Sequence, residues 1–212
     1  MNRRTIGRFL TATLSLALLA SAPFAQAAAD EAPDALIKRV STEVLDAIKA
    51  DKSVQSGDMS RVLALVDSKV MPNVNFTRMT AATVGRNWRQ ATPEQKARLQ
   101  DEFKTLLIRT YSGALSQVRE QTLNVKPMRS AAGENEVTVR TEVIGRGDPV
   151  QLDYRREKTP TGWKIYDLNV LGVWLVETYR TQFAQEISAS GIDGLIASLA
   201  QRNKSNAGEK KS

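Results

Sequence analysis

At Gln121 the apolar residues of this chain stop recurring every three or four positions and begin to alternate, and that change of period limits the fold more than any other feature. Positions i and i+4 share a face of a helix, whereas positions i and i+2 share a face of a strand. Beyond Gln121, Leu123 and Val125 alternate with Asn124 and Lys126. Val137, Val139, Thr141 and Val143 alternate with Thr138, Arg140 and Glu142, and Val150, Leu152 and Tyr154 alternate with Gln151, Asp153 and Arg155. A last run, 163–168, carries apolar groups on both faces. Turn-forming residues separate these runs at 133–135, 145–149 and 159–162. Parallel strands need crossovers of roughly a dozen residues, so four strands joined by such links must form an antiparallel meander.

The region before Gln121 reads as helices. Leu36, Ile37, Val40, Val44, Leu45 and Ile48 recur at helical spacing, predicting an amphipathic helix of about 18 residues that starts near Pro33. Residues 52–57 read as an ordinary polar linker. Asp58 is placed to cap a second helix with the stripe Val62, Leu65, Val66 and Val70, which stops at Pro72. Residues 75–90 should hold a third, with Phe76, Met79, Val84 and Trp88 as its larger apolar groups and Gly85 as either a close-approach point or a break. Thr92-Pro93-Glu94-Gln95 is the clearest helix start, a cap with proline at the first helical position and a reciprocal partner three residues on. That helix should run from 93 to about 120 and present Phe103, Leu106, Leu107 and Tyr111. A late helix from about Gly172 offers Val173, Trp174, Val176, Tyr179 and Phe183. After a turn at Ser190-Gly191, Asp193 should cap a final helix ending near Gln201. The fold class is therefore α+β, one curved antiparallel four-stranded sheet whose concave face is covered by helices.

The first residues are read separately. Arg3, Arg4 and Arg8 precede an uncharged run, 9–20, too short for a membrane span of about 20 residues, and Ala25-Gln26-Ala27 follows as a small-x-small cleavage site. Residues 1–27 are accordingly expected to be a signal peptide, with Ala29 as a second possible cut. Arg3-Arg4 invites the twin-arginine reading, but Gly7 sits where that signal has an apolar residue, so the export route stays open. The chain carries 30 Lys plus Arg against 23 Asp plus Glu, but three of the cations lie in the leader and four lie beyond residue 200. Residues 28–200 hold 23 basic and 22 acidic side chains, which is not the footprint of a nucleic-acid binder. Residues 30–202 form one expected domain, a monomer, and 203–212 a disordered basic tail.

Chemistry is scarce. The chain has no His and no Cys, which removes the usual general base, thiol reactions and disulfides. Asp153 and Asp167, beside Tyr154 and Tyr166, would be an acid and base pair only if they met in a pocket, and Asp153 falls on the outer face of its strand. A buried Asp167 paired with Arg or a backbone amide is an equal reading. No catalytic residue, cofactor or metal ligand is expected. The apolar supply, taken on periodicity alone, describes an ordinary core.

Several segments in sequence order resemble the MlaC, or toluene-tolerance, family of periplasmic lipid carriers. They are Val70-Met71-Pro72-Asn73-Val74-Asn75-Phe76 with Met79, Val84-Gly85-Arg86-Asn87-Trp88-Arg89 followed by Ala91-Thr92-Pro93-Glu94-Gln95, Phe103-Lys104 leading to Leu107 and Tyr111, Leu152-Asp153-Tyr154-Arg155, Trp163-Lys164-Ile165-Tyr166-Asp167-Leu168, Gly172-Val173 and Gly191-Ile192-Asp193-Gly194-Leu195. The resemblance implies a non-enzymatic protein of the periplasm that carries a phospholipid as cargo. Its implied partners are an inner-membrane ABC transporter with a substrate-binding ring and an outer-membrane lipoprotein–porin complex, and its implied role is to maintain outer-membrane lipid asymmetry. It turns Phe76, Met79, Val84, Phe103, Leu106, Leu107, Tyr111, Val139, Leu152, Tyr154, Tyr166, Val173, Val176 and Phe183 into candidates for lining an apolar cavity. A surface-acting adaptor with a solid core and an enzyme using Asp153 or Asp167 remain the alternatives.

Overall fold

The computed structural model describes residues 31–128 and 133–208, so the expected leader and residues 209–212 lie outside the described part. Helix α1 spans Pro33–Ala50 and buries Leu36, Ile37, Val40 and Ile48, the stripe its periodicity marks. The expected linker contains a helical turn instead, α2 at Lys52–Gln55, because the carboxylate of Asp51 accepts the amides of Ser53 and Val54. Asp58 does the same for Ser60 and Arg61 at the start of α3, Met59–Leu65. The chain then loosens into a π turn, Val66–Val70, and a 3₁₀ turn, Met71–Asn73.

Helix α4 covers Phe76–Val84, capped by Asn75, and stops at Gly85, whose φ of +65° an L side chain adopts only with strain. The single helix expected over 75–90 is thus broken, and Gly85–Arg89 is a 3₁₀ turn. Helix α5, Pro93–Leu115, has both halves of the capping box, Gln95 N donating to Thr92 Oγ1 at 3.2 Å and Thr92 N donating to Gln95 Oε1 at 3.0 Å. It ends earlier than expected, and the amides of Gln117 and Val118 donate to the carbonyls of Ala114 and Leu115 as the chain turns toward the sheet.

Among the described residues the sheet has five strands in the order of sequence, all antiparallel: β1 Thr122–Val125, β2 Glu136–Ile144, β3 Val150–Thr159, β4 Gly162–Val170 and β5 Val173–Trp174. The fifth strand corrects both the expected count of four and the helical assignment of Val173 and Trp174. Leu171 and Gly172 take φ of +53° and +88°, which reverses the chain and lays Val173 and Trp174 against Val170 and Asn169. The two-sided pattern of 163–168 also has a geometric cause. Arg155 faces Asp167 while Arg156 faces Ile165, so Tyr166 is an extra residue on β4. Past this bulge the alternation changes parity, and Ile165 and Trp163 join Leu168 on the helix side.

The last helix, α6, runs Leu175–Gly208 with a kink at Gly191, where φ is +72°. It passes the expected end near Gln201, and Asn203, read as the start of a disordered tail, is buried with its side-chain amide donating to the carbonyl and carboxylate of Glu102 at 3.0 and 2.7 Å. Three apolar clusters result. Phe103, Tyr179 and Phe183 centre the one between α4, α5 and α6; Ile48, Val54 and Val62 the one around α1 to α3; and Ile37, Val137, Val139 and Ile165 join α1 to the sheet. Beside the third, Arg156 is fully buried and donates to the carbonyls of Pro33 and Trp163. Burial draws its guanidinium down to about 10, which leaves it charged at neutral pH.

Candidate functional site

Between the helices and the sheet lies an apolar pocket of about 250 Å³, lined by residues at the margins of all three clusters. Each wall comes from a different element. Helix α5 contributes Leu107, Ile108, Tyr111 and Leu115 at spacings that put them on one face. Phe76 and Met79 of α4 close one side, and Leu65 at the end of α3 with Val66, Val70 and Met71 of the π and 3₁₀ turns another. The sheet supplies Tyr154, Ile165 and Leu168, all on the face the bulge makes continuous.

The pocket wall carries almost no charge. Among the described residues Lys104 is the one charged side chain in the lining, and Asp67 holds its Nζ at 2.9 Å. Burial pushes the phenols of Tyr111 and Tyr154 up from their ordinary values, so both stay neutral hydroxyls.

The expected lining residues divide. Phe76, Met79, Leu107, Tyr111 and Tyr154 line the pocket. Val84, Phe103, Leu106 and Phe183 are buried in the helical cluster, and Val176 packs against it. Val139 is fully buried where α1 meets the sheet, and Leu152 is half-buried on the same face. Tyr166, displaced by the bulge, donates its hydroxyl to Glu136 at 2.9 Å beneath the guanidinium of Arg78, and Val173 is 52% exposed on β5. The wall formed by Val44, Leu65, Val66 and Val70 belongs to the apolar stripes of the first and second expected helices, but periodicity does not say that a stripe faces a gap. Ile165 and Leu168 were hidden by the bulge.

The two carboxylates do not make an acid and base pair. Asp153 is on the outer face, as the alternation implies, yet is 5% exposed beneath its neighbours and accepts from Gln151 Nε2 at 2.7 Å. Asp167 accepts from Arg155 at 3.0 Å and from the amides of Leu168 and Val176. Among the described residues no group of three or more acidic side chains is arranged to hold a metal, and no helix is long and apolar enough to cross a membrane.

Comparison with known proteins gives one consistent result. Residues 38–201 match the model of the MlaC protein family. The chain is 28% identical to the toluene tolerance protein of Pseudomonas putida over 180 residues, 84% of this chain and 83% of that one. It is 23% identical over 179 residues to the intermembrane phospholipid transport system binding protein MlaC of Haemophilus influenzae, 82% of this chain and 84% of that one. A solved phospholipid-binding protein from Ralstonia solanacearum, in complex with a phospholipid, superposes with a TM-score of 0.82 at 48% identity, covering 84% of this chain and 99% of its own.

Proposed function

We infer that this chain, which belongs to the MlaC protein family, is a periplasmic phospholipid carrier whose apolar pocket receives the acyl chains. The observation that carries the reading is the lining itself, aliphatic and aromatic side chains from the helices, the π and 3₁₀ turns and the sheet, with Lys104 and Asp67 as its charged edge. Two acyl chains of about 28 methylenes cost on the order of 20 kcal/mol to expose to water. A carrier must therefore cover nearly all of that surface, and polar groups in the lining would oppose it. The headgroup keeps its hydration by remaining at the mouth.

The Ralstonia protein, so similar in fold, holds a phospholipid, which supports the same cargo here. A cavity of about 250 Å³ is smaller than the roughly 300–1,000 Å³ that drug-sized ligands occupy. Loading thus requires the walls to part. The π and 3₁₀ turns between Val66 and Asn73 are the irregular stretch of that lining. Bilayer and carrier are both apolar hosts, so docking to membrane complexes, an inner-membrane ABC transporter with its ring on one side and an outer-membrane lipoprotein–porin complex on the other, can decide direction with a few kcal/mol and no covalent step.

Organic extraction of the purified protein followed by mass spectrometry tests this. The expected result is phospholipid near one molecule per chain; protein free of lipid that also takes none from vesicles would refute the carrier and favour a surface-acting adaptor.

A further inference from the structure

A second hollow, of different chemistry, lies where the turn Gly85–Arg89 passes α6. About 370 Å³ is bounded by Arg86, Asn87, Arg180 and Ser188, with Val84 and Ile187 among the apolar groups between them. The local sequence builds it. Gly85, at φ +65°, ends α4 and redirects the chain, and a Cβ there would stand 3.8 Å from Nε of Arg180. The guanidinium of α6 therefore lies against bare backbone next to Arg86.

Neither arginine has a carboxylate partner among the described residues, whereas Arg78, Arg155 and Arg202 each do. Among the described residues the Asn87 amide and the Ser188 hydroxyl likewise make no side-chain hydrogen bond. Two forked cations, an amide and a hydroxyl thus face one space without an anion of the protein's own. Each guanidinium can take two oxygens side by side, so the pair exceeds what a two-oxygen carboxylate can satisfy and suits the oxygens of a phosphate. The apolar groups alongside leave room for carbon attached to it.

We propose that this hollow binds a phosphate group, with Arg86 and Arg180 as its principal contacts. Free phosphate and the phosphoglycerol headgroup of an anionic lipid share that chemistry. The hollow and the apolar pocket have no lining residue in common, so the proposal stands independently of the cargo.

Titrating the purified protein with inorganic phosphate, and separately with glycerophosphoglycerol, while following backbone amide and arginine Nε resonances, tests it. Saturable shifts should be confined to residues 85–87 and 180–188. Arg86→Gln and Arg180→Gln, both at exposed positions, should each weaken binding about tenfold with melting temperature unchanged, while Arg89→Gln, outside the hollow, should not. Tighter binding of glycerophosphoglycerol assigns the site to a lipid headgroup, and tighter binding of inorganic phosphate assigns it to the free ion. Shifts spread over all basic residues, unchanged affinity in the double variant, or binding of an acidic peptide without binding of either phosphate would overturn the proposal.

Discussion

The carboxylate of Asp167, on β4, accepts the backbone amide of Val176 at 3.1 Å and so ties the sheet to the first turn of α6. A carboxylate at this position also meets the positive end of the helix, and Arg155 balances its charge from β3. Burial nevertheless outweighs these partners and holds the Asp167 carboxyl above its ordinary value. A carboxyl raised in the folded state contributes stability that is fully present below its unfolded value, about 4, and is lost as the pH rises through the folded one. Arg155→Met removes the balancing cation and raises that carboxyl further. Its cost, about 2 kcal/mol at pH 7 because Arg155 is partly exposed, should therefore shrink as the pH falls toward 4. Urea unfolding at both pH values measures it; equal costs would mean that Arg155 acts through packing on Trp174 alone.

Leu107 and Phe103 sit one turn apart on α5 and should behave oppositely. Leu107 faces the pocket, so Leu107→Trp fills space and should abolish co-purifying lipid while the melting temperature holds. Phe103 is fully buried, with the rings of Tyr179 and Phe183 edge-on at 5.0 and 5.2 Å. Phe103→Ala should cost about 3–5 kcal/mol. Destabilisation by the tryptophan of ~1–3 kcal/mol, as in an overpacked solid core, would count against the pocket reading.

Leu171 is 67% exposed and holds φ at +53° in the turn between β4 and β5. Left-handed backbone costs an L residue roughly 1–2 kcal/mol, and asparagine bears it better. Leu171→Asn should stabilise the fold by about 1 kcal/mol, read as a higher midpoint in denaturant. A lower midpoint would show that the exposed leucine makes a stabilising contact.

If the wall from Val66 to Val74 gives way to admit lipid, its amides should exchange with solvent faster than those of α5 in lipid-free protein and slow on loading. Hydrogen exchange followed by mass spectrometry reads both states. Uniform protection of this wall and α5 in the lipid-free protein would place the moving part elsewhere.

Much of the fold could be read directly. The caps at Asp58 and Thr92, the stripe of α1, the break options at Gly85 and Ser190-Gly191 and the antiparallel meander all follow from local chemistry, in which a side chain satisfies amides two or three residues away or a period selects a face. The site was legible only in part. Phe103 and Leu107 look alike in a helical pattern, yet one meets Phe183 and the other meets space. Tyr166 looked like an inward strand residue until the bulge turned it to Glu136.

The main helical stripes and the first four strands of the meander, the near-neutral charge of residues 28–200 and the lack of His and Cys belonged to the sequence alone, because each depends on composition or on neighbours a few positions away. Which apolar side chains interdigitate and which leave a gap, where β4 slips its register, and how Arg180 comes to rest on Gly85 were decided by tertiary packing. A periodicity specifies that a face is buried; only the distance between two such faces determines whether they close into a core or leave a pocket.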